Sequence, residues 1–296
     1  MHNLCCIGHI TLDKIVTPTS TLHLPGGTAF YFANAVQKLT VSFLLVTALA
    51  DRDIHIAEGL RKKGTEINII PTPATTFFEN IYTKQANYRK QRVLQTSEPF
   101  SEEHIKSVKA KIFHLGPLLA QDIPVSLIKE LSSRGLVSLD VQGYLRRLSG
   151  TDVIPQNWAQ AAEALPYIDI LKVSETELEV LTNTNNISRG AEILLQQGAK
   201  EVVVTLGDKG SIIYRTNEQY VISAYQPKKI EDATGCGDTY MAGYLYKKSK
   251  GADCSEAGHF ASAMATLKIE MSGAFNGTEE DVLRKIQTSD VRGTKY

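Results

Sequence analysis

Neither sign of charge is in excess: Lys plus Arg and Asp plus Glu each count 32 in 296 residues. A chain without a net field has nothing to draw in nucleic acid or an anionic membrane, so any bound anion must be held locally. Long hydrophobic runs are missing as well. The longest strongly apolar stretch, Val41 to Ala50, is far too short to span a bilayer. The N-terminus, MHNLCCIGHITLD, has no basic region ahead of a long apolar segment and reads against a secretory signal. Cysteine is scarce. Cys5, Cys6, Cys236 and Cys254 show neither CxxC nor Cys/His metal spacing, which excludes a zinc ribbon and leaves reduced thiols in a cytoplasmic protein as the simplest reading.

What is present is a rhythm. LCCIGHI, VSFLLVTAL, INIIP, KIFHLG, LVSLDV, DILKVS and EVVVTLG each read as a buried strand, with helical patterns between them. Apolar strands alternating with helices predict an α/β fold around a doubly wound, mostly parallel sheet. Two stretches break the rhythm: residues 11–25, TLDKIVTPTSTLHLP, and residues 75–95, rich in aromatic, β-branched and polar side chains. Both read as strands outside the main sheet, forming a small β lid. No repeat or flexible linker divides the chain, so residues 1–296 are expected to be one domain with the lid excursions inserted in it. The C-terminal tail, TSDVRGTKY, is expected to fray.

The most informative stretch is KKIEDATGCGDTYMAGYLYKKSK, where glycines lead directly into a helical pattern near Asp238. The first N–H groups of a helix lack intrahelical acceptors, and the aligned peptide dipoles place roughly half a positive charge there. Gly235 and Gly237 allow that backbone to approach phosphate oxygens closely, with Cys236 adding its N–H. A carboxylate beside such a cradle repels phosphate but is well placed to take the proton of an attacking alcohol. Asp238 has that position. Its plainer alternative is a helix cap. GCGDTY lacks the third glycine of a dinucleotide fingerprint, and no GxxxxGK[ST] occurs in the chain.

DATGCGD, from Asp232 to Asp238, resembles the C-terminal signature D-T-x-G-A-G-D of the ribokinase-like, or phosphofructokinase B, family of carbohydrate kinases, departing at Ala233 and Cys236. PGGTAFYFANAVQKL resembles that family's N-terminal Gly-Gly signature, SETE at Ser174 to Glu177 its N-x-x-E element, and VTLGDKG its nucleotide-side strand and turn. The resemblance spans nearly the whole chain and implies a three-layer α/β/α kinase using ATP and Mg²⁺. Carried over by position, it makes Asp238 the catalytic base and Gly235, Cys236 and Gly237 the anion hole. It assigns Asp13, Gly26 and Gly27 to the substrate side, places Tyr31 where the family usually has Asn, and leaves Asn34 as a stand-in or a surface residue. Thr205, Gly207, Gly210 and Ser174 fall on the nucleotide side. Glu177 matches the residue that arranges Mg²⁺ through water, with Ser174 in place of the family's Asn. Asp232 and Thr234 match positions that bind a monovalent cation such as K⁺ in some members. SAMATLKIEMSGAF, from Ser262, either lines an adenine pocket or is plain core.

For the acceptor, GGTAFYFA and DVQGYLR resemble inositol-kinase-like members more than ribokinase or fructokinase. Arg89, Arg92 and Arg146 are candidates for a substrate oxyanion, or ordinary surface charges. Phe77, Phe78, Tyr82 and Tyr88 either close over the substrate or form a homodimer contact through the lid. The expected partner is a small carbohydrate or polyol, with no nucleic acid and no membrane. Two alternatives stand beside this: a nucleoside kinase of the same fold, and a catalytically silent sugar-binding regulator.

Overall fold

The computed structural model describes residues 1–82 and 89–288; Tyr88 and the tail beyond Thr288, named above, lie outside them. In chain order the strands are β1 (His2–Gly8), β2 (Thr11–Val16), β3 (Thr21–Gly26), β4 (Phe43–Leu49), β5 (Glu66–Pro71), β6 (Phe77–Tyr82), β7 (Arg89–Gln95), β8 (Ala110–Gly116), β9 (Leu136–Asp140), β10 (Arg146–Ser149), β11 (Asp152–Pro155), β12 (Ile170–Ser174), β13 (Glu201–Thr205), β14 (Ser211–Arg215) and β15 (Glu218–Ile222). The helices are α1 (Thr28–Val36), α2 (Ile54–Arg61), α3 (Glu102–Ile105), α4 (Val125–Ser132), α5 (Ala161–Ala164), α6 (Glu175–Thr182), α7 (Ile187–Gln196), α8 (Cys236–Ser249), α9 (Cys254–Ile269) and α10 (Glu279–Thr288).

Nine strands make the larger sheet, in the order β15-β14-β13-β12-β9-β8-β1-β4-β5. From β13 to β5 all pairs are parallel, and β14 and β15 add an antiparallel edge. Successive side chains on a strand point to opposite faces, so a strand buried on both sides must be apolar throughout. β1 shows this: Cys5 and Ile7 join one core while Leu4 and Cys6 join the other. In β13, Val202 and Val204 go one way and Val203 the other. Each fully buried branched side chain contributes on the order of 1.5–3 kcal/mol, and helices complete both cores. α4, α6 and α7 cover one face, and α1, α2, α8 and α9 the other, giving three layers, α/β/α.

The second sheet has the order β10-β11-β7-β6-β2-β3. Residues 11–25 and 75–95 supply four of its strands, and the β10–β11 hairpin, which the sequence reading passed over, supplies the rest. One face rests Phe78 and Val93 on Leu118 and Leu119, between the sheet and the loop after β8. The opposite face is ionic. Lys14 donates to Glu79 at 2.9 Å, Arg92 to the other Glu79 oxygen at 3.1 Å, and Lys90 pairs with Asp152 at 3.0 Å. Arg92, an oxyanion candidate from sequence, is therefore committed to ion pairs on the face turned away from Leu118.

Among the described residues no helix is long and apolar enough to cross a membrane. All four cysteines are free thiols.

Candidate active site

In an open α/β sheet ligands gather at the carboxyl ends of the parallel strands, and there the chain brings two helix starts together. α1 begins at Gly27–Thr28, where Thr28 packs on Gly116 at the end of β8. α8 begins at Gly235, which caps it at φ 76°. Thr28 joins the two, hydrogen-bonding through its side chain to Asp238, the third residue of α8.

Asp238 is half-buried. Burial raises its pKa from 3.8 to about 6, and the Asp140 charge adds to the effect. Lys172, the Thr28 hydrogen bond and the Arg146 guanidinium pull the other way. A carboxylate tuned close to the working pH is suited to general-base chemistry.

Beneath the α8 start lies a charge pair that the sequence reading missed. Lys172 of β12 donates to Asp140, at the end of β9, at 2.9 Å, with both side chains under 10% exposed (7% and 8%). Glu177 is 3.9 Å from the same ammonium. Burial opposes the charge on Lys172, but Asp140 and Glu177 outweigh it and hold the lysine protonated. Asp140 likewise stays ionised against its burial because of Lys172. A Cβ on Gly237 would stand 3.5 Å from the ammonium, so a fixed positive charge sits directly behind the cradle. The cradle differs from expectation in one member. The Cys236 N–H donates to the Ala233 carbonyl at 3.2 Å, closing the turn that enters the helix. Helix geometry leaves the Gly237 and Asp238 N–H groups without intrahelical acceptors, and these, beside the Gly235 cap, are the groups that an anion would meet.

On the acceptor side, Asp13 lies over Gly26: a Cβ there would come 2.4 Å from Asp13 Oδ2. Thr11 donates to the other Asp13 oxygen at 2.7 Å. Gly27 caps α1, and Tyr31, one turn later, is 8% exposed with its ring on Gly235. Burial raises the Tyr31 pKa, reinforced by the charges of Asp13, Asp232 and Asp238, so the phenol remains a proton donor among acids. Asn34 is not a stand-in for the missing amide. It is 7% exposed and donates to the Phe30 carbonyl of its own helix at 2.9 Å.

The amides that could replace it come from the second sheet. Asp13 pairs with Phe78, Phe78 with Val93, and Asn80 with Gln91. Alternation places Asp13, Asn80, Tyr82 and Gln91 on the face of Phe78 and Val93, the face turned to Leu118. Gln91 donates to Asn80 at 2.9 Å.

Toward the other strand ends, Ser174 and Glu177 form a reciprocal capping box at the start of α6, Ser174 N–H donating to Glu177 at 2.7 Å and Glu177 N–H to the serine hydroxyl at 3.3 Å. Thr205 stands beside Ser174 in register, its hydroxyl donating to the Val173 carbonyl at 3.4 Å. Gly207 and Gly210 shape the β13–β14 turn, closed by the Leu206 N–H on the Gly210 carbonyl at 2.8 Å. The segment from Ser262 divides between the two readings. Ser262 and Thr266 are buried and donate to the carbonyls of Ser223 and Tyr225, and Met264 packs on Gly243, so these are core; Ala265, Leu267 and Met271 are only partly buried.

Glu177 offers a hard carboxylate beside the cradle, which fits a Mg²⁺ held mostly by phosphate oxygens and water. The monovalent-cation expectation at Asp232 and Thr234 does not fit. Asp232 accepts the Thr234 N–H at 2.9 Å and a further backbone N–H from Gly273, and Lys268 donates to the Asp232 carbonyl at 2.8 Å and lies 3.5 Å from Oδ2.

Comparison with known proteins agrees with this geometry. The profile described as pfkB family carbohydrate kinase matches residues 1–281. A nucleoside kinase of Methanocaldococcus jannaschii is 23% identical over 92% of this chain and 92% of its own. A pyrophosphate-dependent kinase in the ribokinase family, solved with a pyrophosphate analogue and myo-inositol, superposes with a TM-score of 0.86 at 27% identity, covering 95% of this chain and 99% of that one. Ribokinase of Arabidopsis thaliana, solved with ribose and ATP, gives 0.81 at 24%, covering 97% and 99%. The chain belongs to the pfkB family and is a carbohydrate kinase with the ribokinase-like fold.

Proposed function

We propose that this kinase transfers the terminal phosphoryl group of MgATP to one hydroxyl of a small polyol of the inositol type. The observation that carries the acceptor class is the shared face of the second sheet, where Asp13, whose charge acts on Tyr31 beside Gly235, lies on the same side as the Asn80–Gln91 amide pair, giving hydroxyl-reading oxygens and amides. Asp238 accepts the proton of the attacking hydroxyl. The N–H groups at the start of α8, with Lys172 behind them, take up charge that develops on the phosphoryl oxygens, and such preorganised donors are commonly the largest single contribution to rate. Glu177 orients Mg²⁺ through water. The whole chain acts as one kinase unit in the cytoplasm, with the second sheet as its lid excluding water during transfer. A nucleoside needs an aromatic platform for its base; the Tyr31 ring is already packed against Gly235, which leaves Tyr82 for that role in the nucleoside reading.

The test supplies the purified protein with a panel of inositols, pentoses, hexoses and nucleosides, reading ADP release with MgATP and, in a parallel set, orthophosphate release with pyrophosphate in place of ATP. Turnover with an inositol and ATP is expected. Nucleoside turnover would replace the acceptor assignment, turnover only with pyrophosphate would replace the donor, and binding of sugar without turnover by any donor would overturn the reading in favour of a silent regulator.

A further inference from the structure

Lys268 stands in the last turn of α9 with no exposed surface at all, 0% by side chain. Full burial of a lysine is rare unless its charge is met by oxygens. Three converge on it: the Asp232 carbonyl at 2.8 Å, the Met271 carbonyl at 3.4 Å and Asp232 Oδ2 at 3.5 Å. The surrounding segment is fixed to the same helix end, since the N–H groups of Glu231 and Asp232 both donate to the Ile269 carbonyl, at 2.8 and 3.4 Å. The last carbonyls of a helix lack intrahelical donors and carry its negative pole, so a cation is favoured there. Two carbonyls and a carboxylate around one positive charge form the kind of oxygen cage that would otherwise hold a monovalent metal ion. Here the charge is tethered to the chain, and a second cation among the same oxygens would meet its repulsion at close range.

Asp232 begins the turn that runs through Ala233 and Thr234 to the Gly235 cap. Whatever holds Asp232 therefore sets the direction in which the α8 N–H groups point. We infer that Lys268 is a built-in cation, a positioning residue that fixes the anion cradle, so that phosphoryl transfer neither needs nor responds to K⁺. The turnover arm of the test rests on the kinase reading above; the melting arm does not.

The experiment compares the full chain with Lys268→Ala in buffers of equal ionic strength made with tetramethylammonium, Na⁺, K⁺ or NH₄⁺, reading both turnover and melting temperature. Wild type is expected to show the same rate, within about twofold, and the same melting temperature in all four. The variant is expected to lose about tenfold or more in tetramethylammonium, as a preorganised site does when one support is removed, and to regain rate and melting temperature in K⁺ or NH₄⁺. A purely structural lysine would leave a variant that no cation rescues, and that result overturns the inference. So does K⁺ stimulation of wild type, which would leave the kinase reading intact. Should Lys268→Ala not fold, the wild-type comparison with Lys268→Arg decides, and a cation response in either overturns the proposal. Absence of wild-type turnover with every substrate would count against the kinase reading, and melting temperatures would then decide this one.

Discussion

The ring of Tyr31 lies against Gly235 so closely that a Cβ on that glycine would stand 2.2 Å from Cδ1. Through this contact helices α1 and α8 are registered on each other at their N-terminal ends. Gly235→Ala should therefore displace the cradle, and should also impose a strain of about 1–2 kcal/mol from the positive φ of 76°. Turnover is expected to fall by about 100-fold, the cost typical of a lost oxyanion-type donor. Adding Tyr31→Ala should restore only part of it, because the φ strain remains; steady-state kinetics on the two variants checks both statements.

Asp238→Asn should lower kcat by about 10² to 10⁴, the usual contribution of a positioned base. It should also stabilise the fold. The folded pKa of about 6 lies above the ordinary 3.8, so the native state binds the extra proton, and the stability it gives is complete below the unfolded value and lost as pH rises through about 6. At pH 7 the ionised group is a burden, and its removal should raise Tm by about 2–4 °C per kcal/mol recovered. Thermal melts at pH 5 and pH 7 should show a gain at both, larger at the higher pH, because the penalty builds up between the unfolded value of 3.8 and the folded value of about 6.

The same carboxylate predicts the pH profile. kcat/KM is expected to fall about tenfold per unit below the Asp238 pKa of about 6. A profile flat from pH 5 to 8 would remove Asp238 as the base.

Lys172→Met leaves Asp140 buried without its partner, which costs about 3–5 kcal/mol for a broken buried pair. The double change Asp140→Asn with Lys172→Met should recover much of that stability while turnover stays low, since the positive charge behind the cradle is gone. Denaturant unfolding and kinetics on the pair separate the two effects.

Asn80→Leu removes an amide from the side of the second sheet that the proposal gives to the acceptor, and breaks its hydrogen bond with Gln91. It is expected to raise KM for the polyol or shift the phosphorylated hydroxyl, with kcat changed less; product analysis by phosphorus NMR distinguishes these outcomes.

Much of this was legible along the chain. The seven apolar runs are the seven parallel strands β1, β4, β5, β8, β9, β12 and β13, because burial on both faces writes itself as an unbroken apolar segment. The hairpins β10–β11 and β14–β15 were passed over, although Gly150 and Asn217 at positive φ mark their turns; edge strands are half polar and lack that signature. GCGD announced a helix start beside a carboxylate. The rest was not local. Lys172 and Asp140 lie 32 residues apart and meet only because β9 and β12 are neighbours, and Lys268 meets Asp232 across 36 residues. A charged residue inside an apolar run, as in DILKVS, is the signal that such a partner exists, but its identity depends on strand order. Asn80 and Gln91 needed the register of an antiparallel pair.

The two sheets share no strand. Asp140 and Lys172 belong to the first, and Asn80 and Gln91 to the second. Residues of the second sheet on the Asn80 side can thus be replaced without touching the Lys172–Asp140 pair, while the buried Glu79 and its partners lie on the sheet's other face.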